Sequence, residues 1–247
     1  MDRALHGNEG YYAARVHSVG RTGDFATAAS VSSALGEAVA SWLDQELRQW
    51  PDVRTVIEVG GGDGLLSHAA LSAIGWWKRQ RLRWCMVETS PTLRAQQQAR
   101  LGSRAHWFDT LPAAMMACQG KALLFHNELV DAFPVRLLQW SASKHSWDEV
   151  WLEQISGGWF ERLEPAVISL AERQTHRALC SDHWTTTPLR DGQRVELPAA
   201  YCRWLHSWAP AWRLGSMLTV DYGDAFPNLY YRRPRGTVRG YLRHQTL

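Results

Sequence analysis

Val56-Ile57-Glu58-Val59-Gly60-Gly61-Gly62-Asp63-Gly64 is the stretch that decides how this chain is read. A short β-branched run passes straight into a glycine cluster, and Leu65, Leu66, Ala69 and Ala70 then open a helical apolar pattern. Strand, tight glycine turn and helix is how α/β proteins seat a nucleotide-like cofactor at the carboxyl end of a strand. The glycines let the backbone approach the ligand, and the helix start offers free N–H groups to its anionic part.

The spacing narrows the cofactor. A dinucleotide loop needs G-x-G-x-x-G, and from Gly60 and Gly62 the third glycine would fall on Leu65. A phosphate loop ending in Gly-Lys-Ser/Thr is absent. Acid-x-Gly-x-Gly-x-Gly is present, as Glu58, Gly60, Gly62 and Gly64. That pattern resembles the first motif of class I S-adenosylmethionine-dependent methyltransferases, although a bare glycine-rich turn would read the same way in isolation. Glu58, on the strand end, is positioned to receive a cofactor ammonium group directly or through water.

Working outward, strands at 53–59, 83–88, 104–108, 121–126 and 216–221 alternate with helical patterns at 64–74, 90–101, 111–117 and 198–209. Alternation of this kind implies a parallel sheet with helices on both faces. A helix with apolar residues from Val31 to Leu47 precedes the first strand, with Ser30 or Ser32 as N-cap and Pro51 as stop. After Asn127 the alternation breaks. Residues 133–165 read as one or two hairpins, 166–180 as helical and 181–196 as loop, so about 135–196 forms an insertion beside the sheet.

With 247 residues the chain can bury a substantial core, and a net charge of +3 gives no argument for nucleic acid. Fourteen tryptophans is a high count, and indoles both fill cores and line grooves. Cys85, Cys118, Cys180 and Cys202 are too widely spaced for a zinc motif or a disulfide framework, so no metal is expected and a reducing compartment fits. No apolar run is long enough to span a bilayer and the start carries no signal-like h-region, so a cytoplasmic protein without a membrane partner is expected.

Further candidates lie at strand ends. Glu88 ends the second strand, where an acidic residue takes ribose hydroxyls in such folds, and Asp109 follows the third, where an adenine amino group is often met. A strand-end carboxylate is equally an ordinary solvated group. Asn127-Glu128-Leu129-Val130-Asp131-Ala132-Phe133-Pro134 follows the fourth strand and should open onto the same crevice. Methyl transfer from a sulfonium is an in-line displacement that needs an aligned, desolvated nucleophile. If that nucleophile belongs to an arginine, carboxylates gripping the guanidinium can fix its plane and draw charge from the attacking nitrogen. Glu128 and Asp131 could provide this grip if the turn is helical; alternatively Asp131 caps the turn and Asn127 bonds backbone.

Five segments together resemble the MidA-like methyltransferase family, which includes a protein arginine methyltransferase. They are Gly23-Asp24-Phe25-x-Thr27 before Gly36-Glu37, the Glu58–Gly64 loop, Asn127-Glu128-x-x-Asp131-Ala132-x-Pro134-Val135, Asp221-Tyr222-Gly223, and Gly236-Thr237-x-Arg239-x-Tyr241-x-x-His244. The resemblance implies a class I methyltransferase Rossmann-like parallel sheet with an inserted subdomain, S-adenosyl-L-methionine as cofactor, and a protein substrate. It places Asp24, Phe25, Thr27, Glu58, Gly60, Gly62, Gly64, Glu88 and Asp109 at the cofactor, and Asn127, Glu128 and Asp131 at the transfer step. The expected organisation is 1–52 covering the cofactor site, 53–134 as cofactor core, 135–196 as insertion and 197–247 returning to the core with a basic tail. Two departures stand out. Thr27-Ala28-Ala29-Ser30-Val31-Ser32 lacks the proline and acid usual in the family, and the five strands counted lack the closing antiparallel pair. The leading function is methylation of a protein arginine. The alternatives are a weakly active or inactive assembly scaffold with the same fold, and a small-molecule methyltransferase.

Overall fold

The structure, a computed structural model, describes residues 1–7, 10–11, 33–179, 184, 188–239, 241–242 and 245–246. The chain divides into two compact units, Met1–Phe133 with Tyr201–Asp221, and Pro134–Ala200 with Tyr222–Leu247.

The first unit carries the parallel sheet. After a short helix α1 (Asp2–His6), α2 (Ala34–Gln49) leads to β1 (Thr55–Val59). Ser33 takes the N-cap position of α2, while Ser30 and Ser32 lie outside the described residues. Then come α3 (Leu65–Ala73), α4 (Trp76–Arg81), β2 (Arg83–Val87), α5 (Pro91–Leu101), β3 (Ala105–Phe108), α6 (Leu111–Ala117) and β4 (Ala122–Asn127). Of these, α4 is not foreseen from the sequence. β9 (Met217–Val220) closes the strand order β3-β2-β1-β4-β9, every neighbouring pair being parallel. The five expected core strands are therefore present, with β9 at one edge of the sheet among the described residues.

Every residue of β1 is buried, as a strand covered on both faces must be. Alternate side chains enter two cores. Val56, Trp84, Met86, Leu123 and Phe125 pack with Val39 and Leu43 of α2 and Leu66, Ala70 and Leu71 of α3. Ile57, Val59, Cys85, Val87 and Leu124 pack on the other face with Leu111 and Met115 of α6 and Trp208 of α8 (Ala199–Trp208).

The second unit is built on an antiparallel sheet of β5 (Arg136–Ser141), β6 (Ser146–Ile155), β7 (Gly158–Pro165) and β8 (Arg194–Leu197), in the order β7-β6-β5-β8. The expected hairpins are there. The stretch expected to be loop ends in β8, which pairs with β5, and the expected helix over 166–180 is only α7 (Leu170–Thr175) followed by a turn at Arg177–Leu179. Of residues 197–247, expected to return to the core, Tyr201–Asp221 lie in the first unit, while 197–200 and Tyr222–Leu247 lie in the second. Phe226 and Tyr231 pack with buried Tyr230 around Trp184, Leu138, Trp147 and Val195, which places α9 (Asn228–Arg232) in the second unit.

Under the glycine turn lies a buried polar chain. Trp84 Nε1 donates to Ser67 Oγ at 2.7 Å, and Ser67 Oγ donates in turn to Glu58. Glu58 is 1% exposed, and burial raises its carboxyl from 4.5 to about 7, against the lowering effect of the Ser67 bond. The folded state thus holds this proton more tightly than the unfolded chain. Its stabilisation is complete below about pH 4.5 and is lost as pH rises through about 7. We expect wild-type stability, measured by urea unfolding, to fall by roughly 3 kcal/mol across that window relative to Glu58→Gln. Parallel pH profiles for the two proteins would contradict this. Ser67→Ala, which orphans both Trp84 Nε1 and the carboxyl, should cost about 2–3 kcal/mol.

Candidate functional site

The carboxyl ends of β1, β2 and β4 open together, because the three strands are parallel and in register from Thr55, Arg83 and Ala122. At the end of β1 the chain turns through Gly60, Gly62 and Gly64 with φ of +64°, +53° and +81°, a left-handed backbone that costs a side-chain-bearing residue. Gly60 N–H donates to Val87 O at 2.9 Å, tying the turn to the end of β2. Asp63 Oδ1 accepts from Leu65 N–H at 3.1 Å at the start of α3, and Asp63 Oδ2 pairs with Arg100 at 2.7 Å.

Glu58 is turned under this loop rather than into the crevice. A Cβ on Gly61 would lie 2.8 Å from Glu58 Cδ and 2.6 Å from Met86 Cε. The ammonium contact expected of Glu58 is therefore not offered directly by this geometry; its carboxyl supports the loop from below.

Glu88 follows β2 and is 7% exposed, with its pKa raised chiefly by burial and held back by hydrogen bonds. Ser90 N–H donates to it at 2.8 Å and Gln97 Nε2 at 3.2 Å. The same Gln97 Nε2 lies 2.8 Å from Gly62 O, while Gln97 Oε1 accepts from Trp107 Nε1 at 3.0 Å. Fully buried Gln97 thus joins the glycine turn, Glu88 and β3. Sequence reasoning missed it, because one glutamine in Ala95-Gln96-Gln97-Gln98 on an amphipathic helix carries no motif signal. Asp109, expected near an adenine, has an 83% exposed side chain and forms an ion pair with Arg94, so it faces solvent beside the outermost strand.

The segment after β4 is held against the turn. Glu128 N–H donates to Val220 O at 2.9 Å and Val130 N–H to Asp221 Oδ2 at 3.0 Å, so β9 and Asp221 fix its path. A Cβ on Gly60 would come within 2.7 Å of Leu129 Cδ1, which shows how closely the two loops pack. Glu128 has φ +49° and precedes the single 3-10 turn Val130–Ala132. Glu128 and exposed Asp131 therefore do not share a regular helical face, as the expected helical turn would have required. Asn127 Nδ2 lies 3.5 Å from Glu128 Oε1. Asp24, Phe25 and Thr27 lie outside the described residues.

Among the described residues six buried polar side-chain atoms lack a hydrogen-bond partner, and three of them lie at this end of the sheet: Ser90 Oγ after β2, and His126 Nδ1 and Asn127 Oδ1 in β4. His126 Nε2 lies 3.0 Å from Thr219 Oγ1, and burial lowers the histidine pKa, so the ring is neutral near pH 7. Buried polar atoms are normally satisfied, and the Ser90 and Asn127 oxygens left open at the strand ends fit a polar ligand with hydroxyl and amino groups.

A family model described as "Putative S-adenosyl-L-methionine-dependent methyltransferase" matches residues 38–247. The chain is 31% identical over 173 residues to the Drosophila melanogaster "Protein arginine methyltransferase NDUFAF7 homolog, mitochondrial", across 60% of this chain and 38% of that protein. It is 24% identical over 165 residues to the Caenorhabditis elegans protein of the same name, across 56% and 37%. The chain thus spans well under half the length of these relatives. A Burkholderia thailandensis crystal structure, described as a COG1565 superfamily member and likely methyl transferase bound to S-adenosyl-homocysteine, superposes with a TM-score of 0.80 at 24% identity, over 99% of this chain and 62% of that one. A native structure of a COG1565 superfamily protein from the same organism gives 0.76 at 24% identity, over 100% and 62%. These likenesses show the class I methyltransferase-like fold. Matched by the family model over most of its length, the chain belongs to the MidA-like family of S-adenosyl-L-methionine-dependent methyltransferases.

Proposed function

We propose that this chain transfers a methyl group from S-adenosyl-L-methionine to a nitrogen of a protein arginine. The observation that carries the cofactor half is the left-handed Gly60–Gly64 turn, packed against a buried, hydrogen-bonded Glu88 with Ser90 Oγ and Asn127 Oδ1 unsatisfied nearby. The cofactor supplies an electrophilic methyl on a sulfonium. Within this reading Glu88 takes ribose hydroxyls, and Gln97 keeps Glu88 and the Gly62 carbonyl in place. The start of α3 faces an anionic group.

The acceptor half rests on Glu128, on the names of the fly and worm relatives, and on the chemistry of the guanidinium. A carbon–nitrogen bond would form as the carbon–sulfur bond breaks, the sulfur would keep the electron pair and leave as a neutral thioether, and the proton lost from the attacking nitrogen would pass to solvent water. Glu128 holds the guanidinium plane and draws positive charge from that nitrogen. Its backbone is fixed by the N–H bond to the Val220 carbonyl, which sets the point from which the side chain leaves the strand end. Asn127 orients Glu128, and Asp131 adds negative charge at the entrance.

A second reading is a partner-holding scaffold that keeps the fold. It is favoured by the outer part of the β6–β7 hairpin, where Trp151, Leu152, Ile155, Trp159, Phe160 and Leu163 are all exposed. That ribbon continues beyond the last β5–β6 pair at Glu149.

Titration calorimetry should give saturable S-adenosylmethionine binding, weakened at least 100-fold (about 3 kcal/mol) in Gly62→Arg. Unchanged affinity in a folded variant would remove the glycine turn from the site. Glu128→Gln should keep cofactor affinity within about twofold and lower kcat/KM by about 100-fold with a protein acceptor. With tritiated cofactor in lysate, label recovered as methylarginine supports the acceptor assignment. Label on another residue or on a small molecule overturns it, and co-purification of a partner without label favours the scaffold.

A further inference from the structure

In the parallel-sheet unit, the exposed large hydrophobic side chains among the described residues are, beyond Met1, Trp76 at 53%, Trp77 at 74% and Met116 at 78%. All three lie where the strands begin, the end opposite the glycine turn. Trp76 and Trp77 open α4, which buries none of its residues and leads into β2 at Arg83. Met116 is in the last turn of α6, whose Ala117 carbonyl accepts from Arg83 Nη1 at 3.4 Å. The two indoles pack edge-on, with centroids 4.5 Å apart and planes at 79°, and are held out together.

Basic residues crowd the same end. Arg48 is in the last turn of α2, Arg54 precedes β1, and Lys78, Arg79, Arg81 and Arg83 follow the indoles. Lys121 precedes β4, and Arg213 N–H donates to Gly120 O at 2.8 Å. Three acids face them. Asp44 pairs with Lys78 at 2.8 Å, Glu46 accepts from Trp50 Nε1 at 3.2 Å and from Ser216, and Asp52 is exposed. Among the described residues no carboxylate forms an ion pair with Arg54, Arg79, Arg81, Arg83, Lys121 or Arg213. The net charge of the whole chain is only +3, so positive charge is concentrated at this edge.

We propose that the strand-starting edge is a peripheral docking face for an anionic lipid bilayer, with the Trp76–Trp77 pair entering the headgroup layer and the surrounding cations meeting its phosphates. Indoles favour that layer because an apolar ring and an N–H are both accommodated there. An apolar insertion combined with a polybasic ring is the two-signal arrangement that reversible membrane attachment needs. A nucleic acid fits less well: each indole is occupied by the other, so no pair of parallel platforms is offered to successive bases. Among the described residues no helix is long and apolar enough to cross a membrane. Attachment at this edge needs none. It would leave the glycine turn, about 15 Å away along β1, facing away from the lipid.

The test is co-sedimentation of the purified chain with phosphatidylserine–phosphatidylcholine vesicles against phosphatidylcholine alone. Binding to the mixed vesicles only, released by added salt, supports the proposal. Trp76→Ser/Trp77→Ser should weaken it about tenfold and Arg81→Glu/Lys121→Glu by more than tenfold, with the circular dichroism spectrum unchanged in both. No binding to mixed vesicles, equal binding to neutral ones, or full retention in both variants overturns it. So does capture of single-stranded RNA by a chain that ignores vesicles.

Discussion

The backbone reversal between β1 and α3 is the constraint on which the rest of this structure depends. A strand buried on both faces must hand its chain to a helix within a few residues while leaving the space above its last carbonyls open. Three residues in the left-handed region accomplish this, and glycine is the residue that adopts it without a Cβ penalty. The turn is closed from three sides. Glu58 and Met86 fill the space below Gly61, Leu129 lies against Gly60, and Gln97 lies against Gly64. Left-handed glycines recur where β4 and β9 begin, at Gly120 and Gly215, but there they pack chain against chain.

This arrangement separates two kinds of acid that look alike in sequence. Glu58 and Glu88 both end central strands, yet Glu58 is satisfied by a serine on the following helix and sits beneath the loop. Glu88 receives a backbone N–H and a glutamine amide beside the loop, with an unsatisfied serine hydroxyl two residues on. The first lies beneath the turn and the second beside it. Burial raises both pKa values, so the difference between them lies in direction and partners and not in proton affinity alone.

The molecule also divides its chemistry between the two ends of one sheet. The carboxyl ends collect left-handed glycines, buried carboxylates and orphaned polar atoms. The amino ends collect exposed indoles and a group of lysines and arginines. Parallel strands make such a division natural, because every strand presents the same end to the same side. A chemical centre and an attachment face can then coexist in one unit without competing for residues.

How much of this was legible beforehand differs from element to element. The alternation of apolar runs and helical patterns was enough to locate β1 to β4 and β9, because a parallel sheet buried on both faces writes its strands as near-continuous apolar runs; their order in the sheet came only from the structure. The glycine spacing was enough to separate this turn from dinucleotide and phosphate loops. β8 was missed since Arg194-Val195-Glu196-Leu197 becomes a strand only by pairing with β5 at a distance in sequence. Gln97 was missed because its importance comes from three partners on three other elements. The turned-under carboxyl of Glu58, the solvent-facing Asp109 and the left-handed Glu128 were decided only by tertiary structure. Local sequence sets which residues end each strand. The direction a side chain takes from there depends on which neighbour offers a hydrogen bond or a cavity, and that is known only once the helices have packed.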